Sequence, residues 1–478
     1  MDPRLISEAE FAATDEAGWR ALAERALKGA SFDTLSSATD DGIRIDPLHE
    51  RSSRPMPIPR RDITTPWMVI QRIDDPDPAR ANRQALDDIA NGATGFALVF
   101  EGAPNAFGYG LPCEAEALAV ALRDVPPTRL YLRIDPHSGG RSTAEWLVAH
   151  LSGRRADPSR LQVSFGIDPA AIFAGTGRLR MSIEALEASM PQSLSHFFAL
   201  GVPGVLLEAD GRVCHNAGAT EAQELGFVLA SAISHLRMFQ MARQPLVYAA
   251  PHIGFALAAD QDQFLTIAKF RALRRLWSRA QEACGIDPSA TTIHAETSWR
   301  MMSRRDPESN ILRSTIAVFA AAVGGADSIC VLPHTAAHGL PDPFARRVAR
   351  NTQLVLADES HVGFVSDPCA GAGGIAYLTE ALCEAAWKEF QLIESEGGIL
   401  RSLSAGLYQS RVEAVAAKRL RAFREGERVI VGATLFPPAK ARPVETLPAE
   451  RWTDTAEGVI SCDRLEAHRL EEALGASA

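Results

Sequence analysis

The chain has 478 residues, 46% of them hydrophobic, yet charged residues interrupt every long apolar run, so no membrane span is expected. A net charge of −10 offers none of the basic footprint that a phosphate backbone attracts, so no nucleic acid is expected as a partner. Seven cysteines, an odd count without a C-x-x-C pair, argue against a disulfide framework or a structural zinc, and an N-terminus reading MDPRLISEAEF, acidic where an export signal is basic and apolar, gives the expectation of a cytoplasmic protein.

The first elements form an arm over residues 1–64. Trp19, Leu22, Ala23, Ala26 and Leu27 recur at helical spacing, and a Ser-, Asp- and Pro-rich loop follows. That stripe requires burial against either the chain's own core or a second chain. From Trp67 onward short apolar runs alternate with amphipathic helices, the pattern of parallel strands joined by crossovers. Eight runs qualify: PWMVIQRI from Pro66, GFALVFEG from Gly95, TRLYLRID from Thr128, LQVSFGID from Leu161, GVLLEA from Gly204, PLVYAAPHIGF from Pro245, TTIHAETS from Thr291 and DSICVLP from Asp327. The count predicts an α/β fold, a (β/α)8 TIM barrel over residues 65–360; an open doubly wound sheet would need a Gly-rich turn after its first strand, and Ile73 to Pro78 provides none. The basic cluster Arg271, Arg274 and Arg275 reads as a solvated helix face. After Glu359 the alternation stops, and a Gly-rich loop from Asp367 leads into a helical C-terminal extension over residues 361–478.

Chemistry in a barrel sits where strands end. His215, His252, His294, His334 and His338 fall at or beyond predicted strands, and Asp135, His137, Glu208 and Glu296 could join them around a divalent ion, as in a stand-alone metal-dependent hydrolase or lyase. Without an H-x-H or H-E-x-x-H pair, the reading adopted is polar residues lining a mouth, with no metal. Neither a G-x-S-x-G elbow nor an activated cysteine marks a nucleophile, and the glycines of GAPNAFGYGLP from Gly102 and CAGAGGIAYL from Cys369 serve as turns.

Three longer segments, HNAGATEAQELGFVLA from His215, AKFRALRRLW from Ala268 and PESNILRSTIAVFAAAVGG from Pro307, closely resemble the methylmalonyl-CoA mutase family. Weaker likeness extends through PWMVIQRI, DPCAGAGGIAYL, IESEGG and VIVGATLF, and the arm segments WRALAERALKGASFDTL and DGIRIDPLHE look like the start of the family's small subunits, where the arm reaches toward the partner. The resemblance implies a barrel that encloses an acyl-CoA, with adenosylcobalamin held over its mouth by a flavodoxin-like domain. About forty residues follow Phe436, too few for such a domain, so the cofactor is expected on a partner and none on this chain. DPHSGG from Asp135 matches the D-x-H-x-x-G pattern by which other cobalamin enzymes present histidine to cobalt. It follows the third barrel strand, and RMSIEAL downstream lacks the supporting Ser-x-Leu, so His137 reads as a loop residue.

The resemblance also places the family's catalytic tyrosine at Arg72 and its histidine at Val213, its substrate arginine at Thr292, and its seventh-strand histidine at His294, the one substrate-binding position retained. The T-I-Q-N-D segment of active subunits is missing, and His215, two residues beyond Val213, would need a different loop to take over. The expectation is a catalytically silent small subunit in a heterodimer, with a homologous large mutase subunit binding acyl-CoA and adenosylcobalamin. The alternative is an active acyl-CoA mutase barrel served by a separate cobalamin-binding subunit.

Overall fold

The computed structural model describes residues 15–51, 57–58, 66–155, 160–201, 203–440, 442–453 and 458–475; the acidic N-terminal stretch and part of the arm lie outside them. Eight strands, β1 (Met68–Ile73), β2 (Gly95–Leu98), β3 (Tyr131–Ile134), β4 (Gln162–Ile167), β5 (Gly204–Asp210), β6 (Ile253–Ala259), β7 (Ile293–Thr297) and β8 (Ser328–Cys330), form a closed barrel. Every neighbouring pair is parallel, and β8 pairs with β1 to complete the ring.

Each predicted run supplies one strand. The run from Pro245 begins differently: Leu246–Ala249 is a helical turn, Ala250–His252 a 3-10 turn, and the strand starts only at Ile253. Pro251 has no N–H to give to a ladder, which delays the strand until it has passed. His252 therefore sits at the entry of its strand, its Nδ1 2.7 Å from the Gly204 carbonyl, at the end of the barrel opposite the mouth.

The helices begin by a local rule repeated along the chain. Asp77–Pro78, Asp168–Pro169 and Asp342–Pro343 each place a carboxylate at the N-cap, where it accepts backbone N–H groups, and a proline in the first turn. One glycine permits the barrel to close at β4. A Cβ on Gly166, whose φ is +58°, would lie 1.7 Å from the Ile134 carbonyl oxygen.

Residues alternate across each strand. Phe96, Leu98, Leu132, Ile134, Phe165, Leu207, Phe255 and Leu257 point outward into the layer beneath the helices and are buried there. Each contributes about 1.5–3 kcal/mol by leaving water. The helix Glu221–Met241, which carries part of the family-like segment, is buried along most of its length because the helix Gly373–Ser395 packs over it. Arg271 and Arg274 do not form a solvated face: Arg271 pairs with Asp367, and Arg274 with Asp327 at 3.0 Å, both arginines being nearly buried. Arg275 alone of the three is exposed, paired with Glu380.

Two segments wrap the barrel. The arm helix Glu16–Ala26 has no buried residue; Trp19 meets Phe32 edge-on at 5.9 Å. A hairpin pairing Ser37–Ala38 with Arg44–Ile45 then docks on the molecule through Asp40, which accepts from Arg419 at 2.8 Å, and Asp41, which accepts the Ala222 N–H at 3.2 Å. At the other end, residues 446–453 and 458–474 lie over the barrel mouth. Thr446–Leu447 pairs with Leu340–Pro341, Ile460–Ser461 with Arg178–Leu179, and the N–H groups of Trp452, Leu465, His468 and Leu470 donate to carbonyls of Gly108, Ala174, Asn216 and Arg300.

Candidate functional site on the barrel axis

The inward faces of the strands carry ionisable residues. Arg72 and Asp74 lie two apart at the end of β1, Arg133 and Asp135 at the end of β3, Glu208 and Asp210 on β5, and Glu296 on β7; Arg212 follows β5 in the short helix Arg212–Asn216. All eight are buried.

They form one connected cluster. Arg72 donates to Asp74, to Glu296 and to the Asn105 carbonyl, each at 2.8 Å. Arg212 reaches Asp210 at 2.6 Å, Asp135 at 3.1 Å and Glu296 at 3.1 Å, which joins β3, β5 and β7 through a single guanidinium. Arg133 pairs with Asp135 and Glu208, and Glu208 also accepts from Ser164 at 2.8 Å. Burial opposes charge on Arg72 and Arg133, but the carboxylates around them hold both guanidiniums above their ordinary range. Burial likewise disfavours the Asp135 anion, and Arg212, Arg133 and Arg72 together outweigh it, holding its carboxyl well below the usual value. Glu208 goes the other way, since burial pushes it up more than Arg133 pulls it down. Three guanidiniums face five carboxyl groups, so the carboxyls of the cluster outnumber its cations.

His294 points into the same space. Its Nδ1 lies 2.8 Å from Ser328 Oγ, and burial together with Arg133, Arg212 and Arg72 drives its pKa far down, so the ring is neutral. Val213, by contrast, is turned away from the axis into the hydrophobic core, where its methyl group would lie 3.0 Å from a Cβ placed on Gly175. Thr292 precedes β7 and gives its carbonyl to Phe255 N–H. His215 is locked elsewhere: Nδ1 is 3.1 Å from Glu224, and Nε2 is 3.0 Å from both Asp260 and Ser298. Burial disfavours the Asp260 anion, yet Arg300 and His215 hold it far below its usual value, so moving His215 to the axis would break a satisfied buried network.

The other polar residues of the mouth stay apart. His137 occupies the loop after β3, with Nδ1 2.9 Å from the Asp135 carbonyl, Nε2 3.0 Å from Thr143 Oγ1 and its ring stacked on Phe100. His338 meets the Arg304 carbonyl, and His334 packs edge-on near Phe344. Among the described residues no group of three or more His, Cys, Asp or Glu side chains is placed to hold a metal ion. Asp135, Glu208 and Glu296, considered above as metal ligands, are instead engaged with arginines.

Sequence reasoning singled out Arg72, Asp135, Glu208 and Glu296 but missed Asp74, Arg133, Asp210 and Arg212. A signal was present: R-I-D occurs at 72–74 and again at 133–135, and E-A-D at 208–210, charged pairs at period two that must share one face of a strand.

A parallel barrel with polar groups concentrated at the C-terminal ends of its strands belongs to the enzyme class of (β/α)8 proteins. The comparison with known families is specific: the sequence profile described as methylmalonyl-CoA mutase matches residues 114–476, and the chain belongs to that family. It is 36% identical to a methylmalonyl-CoA mutase small subunit of Streptomyces virginiae over 94% of this chain and 74% of that protein. It is 32% identical to the corresponding small subunit of Propionibacterium freudenreichii subsp. shermanii, over 87% of this chain and 65% of that one. A probable small subunit of Mycobacterium bovis is 41% identical over 67% of this chain and 52% of its own length. The matches thus span between about half and three quarters of these relatives' lengths.

Proposed function

We propose that this chain is the small, non-catalytic subunit of a heterodimeric, adenosylcobalamin-dependent methylmalonyl-CoA mutase. In this reading a homologous large subunit binds the cofactor and the acyl-CoA and interconverts methylmalonyl-CoA and succinyl-CoA. The observation that carries it is the axis: the space an acyl thioester would need is taken by Arg72, Arg133, Arg212 and their carboxylate partners, all buried and bound to one another. Admitting a substrate would require separating buried ion pairs, each break costing about 3–5 kcal/mol.

Two further features support it. Where the resemblance places the catalytic tyrosine and histidine stand Arg72 and Val213, and an aliphatic side chain turned into the core cannot donate a hydrogen bond to a thioester carbonyl. The arm helix Glu16–Ala26 carries its apolar stripe without burying it, as a segment that completes its packing on a second chain would.

The residues of this chain do not fit a corrin. Residues 446–453 and 458–474 are hydrogen-bonded to the loops of the mouth, and His137, in the D-x-H-x-x-G pattern, is buried with both ring nitrogens engaged. The cofactor is therefore assigned to the partner. The relatives' designation as small subunits supports a larger partner of the same family. The test is co-purification with the candidate large subunit, followed by mutase assays on each chain and on the mixture with adenosylcobalamin. Activity confined to the partner or the complex is the expected result; turnover by this chain with only a cobalamin-carrying fragment would overturn the reading.

A further inference from the structure

A second cavity lies off the axis, at the side of the mouth between the loops that follow β3 and β4. It measures about 200 Å3 and is bounded by Arg141 at the start of the helix Gly140–Gly153, by Arg180 after the ribbon Arg178–Leu179, and by the helix Ile183–Ala199. Its floor is aliphatic, formed by Ile167, Ile172, Leu179, Met181, Leu186 and Met190.

The cations of this cavity are held differently from those on the axis. Arg141 is half-buried, and its guanidinium is positioned by two neutral hydroxyls, Ser189 at 3.3 Å and Ser193, which lie one turn apart on the helix Ile183–Ala199. The Ser189 hydroxyl donates its own hydrogen to the Leu186 carbonyl at 3.2 Å, so its oxygen is free to accept from Arg141. Among the described residues neither Arg141 nor Arg180 forms an ion pair, whereas the fully buried Arg72, Arg133, Arg212 and Arg300 are all paired with carboxylates. The acidic residue of the lining, Glu101, is turned to the Cys113 N–H at 3.2 Å. A fixed guanidinium that pairs with no carboxylate among the described residues, standing over an aliphatic floor in a protein of net charge −10, is an uncompleted anion site.

We propose that this cavity binds a small monocarboxylate with a short aliphatic tail, its carboxylate on Arg141 and Arg180 and its tail against Met181, Leu186 and Met190. A cavity of about 150 Å3 accommodates benzene, so the occupant has roughly six to nine non-hydrogen atoms. The cavity binds without transforming. His137 in its wall is neutral, pushed down to about 4 by burial, the Cys113 thiol is pushed up by burial and by Glu101, and Glu101 itself accepts the Cys113 N–H, so no activated nucleophile stands among the described residues of the site. The proposal is independent of the barrel's silence on the axis and would hold for the chain alone or in a complex.

Calorimetric titration of the whole chain with hexanoate, hexan-1-ol and inorganic phosphate tests it. Hexanoate is expected to bind saturably, with hexan-1-ol and phosphate each at least tenfold weaker, because one probe lacks the charge and the other the tail. Arg141→Leu is expected to weaken hexanoate about tenfold or more with the unfolding midpoint little changed. Arg180→Leu alters an exposed residue, so it keeps the test sound if Arg141→Leu folds poorly, and it should weaken hexanoate several-fold. No saturable binding of hexanoate, equal binding of phosphate or hexan-1-ol, or undiminished binding by the variants would overturn the proposal.

Discussion

Arg212 is the residue on which the axial cluster depends, since its guanidinium spans Asp210, Asp135 and Glu296 on three different strands. Replacing it with alanine leaves three buried carboxyl groups short of a counter-charge, and the expected loss is about 3–5 kcal/mol in urea unfolding. Glu296→Gln keeps the shape and one acceptor, so it should cost less than Arg212→Ala when measured the same way. Arg72→Tyr combined with Val213→His restores the two side-chain types that the family resemblance associates with catalysis. It should yield no mutase activity in the presence of adenosylcobalamin, because Arg133 and Arg212 still fill the axis and Val213 faces the core. Activity from that double variant would show that two residues, rather than the filled barrel, keep the chain silent. The R-I-D and E-A-D alternations mark these positions as one-sided in the sequence; which carboxylate on another strand each arginine meets depends on residues 75 to 224 positions apart.

At the level of elements, the arm has two parts with different attachments. Deleting the helix Glu16–Ala26 should shift the unfolding midpoint by no more than about 1–2 °C, since it buries nothing, while abolishing or strongly weakening capture of the large subunit in a pull-down. The hairpin beyond it behaves otherwise. Burial and the neighbouring Glu221 push Asp41 up to about 7. An acid whose pKa is raised on folding binds protons in the native state over the interval between its unfolded value near 4 and its folded value near 7. Stability is therefore greatest at the acidic end of that interval and falls as pH rises through it. Asp41→Asn, which retains an acceptor for the Ala222 N–H, should flatten this dependence and protect the hairpin amides at pH 8 in hydrogen exchange. The order of the strands was readable because apolar runs alternating with amphipathic helices are a local pattern. The start of β6 was not, because apolar content from Pro245 to Ala250 fits a strand or a helical turn equally, and the packing around Pro251 chooses.

For the whole molecule, the strap over the mouth, described at residues 446–453 and 458–474, is pinned near its end by Glu471, which accepts from Ser303 Oγ at 2.7 Å and from Arg304 N at 2.6 Å. Glu471→Ala should cost about 2–3 kcal/mol, since it leaves a buried hydroxyl and an N–H unsatisfied, and it should raise binding of a hydrophobic dye as the mouth loosens. An unchanged unfolding curve would mean that the strap is held by its ribbons alone. The sequence by itself determined the number and order of strands and the family, because periodicity and segment likeness are properties of neighbouring residues. Only the tertiary structure decided that the axis is filled, that His215 is locked away from it, that His252 sits at the far end, and that residues 446–453 and 458–474 lie over the mouth. Each of these depends on closing eight strands into a ring, which brings together side chains that no local pattern relates.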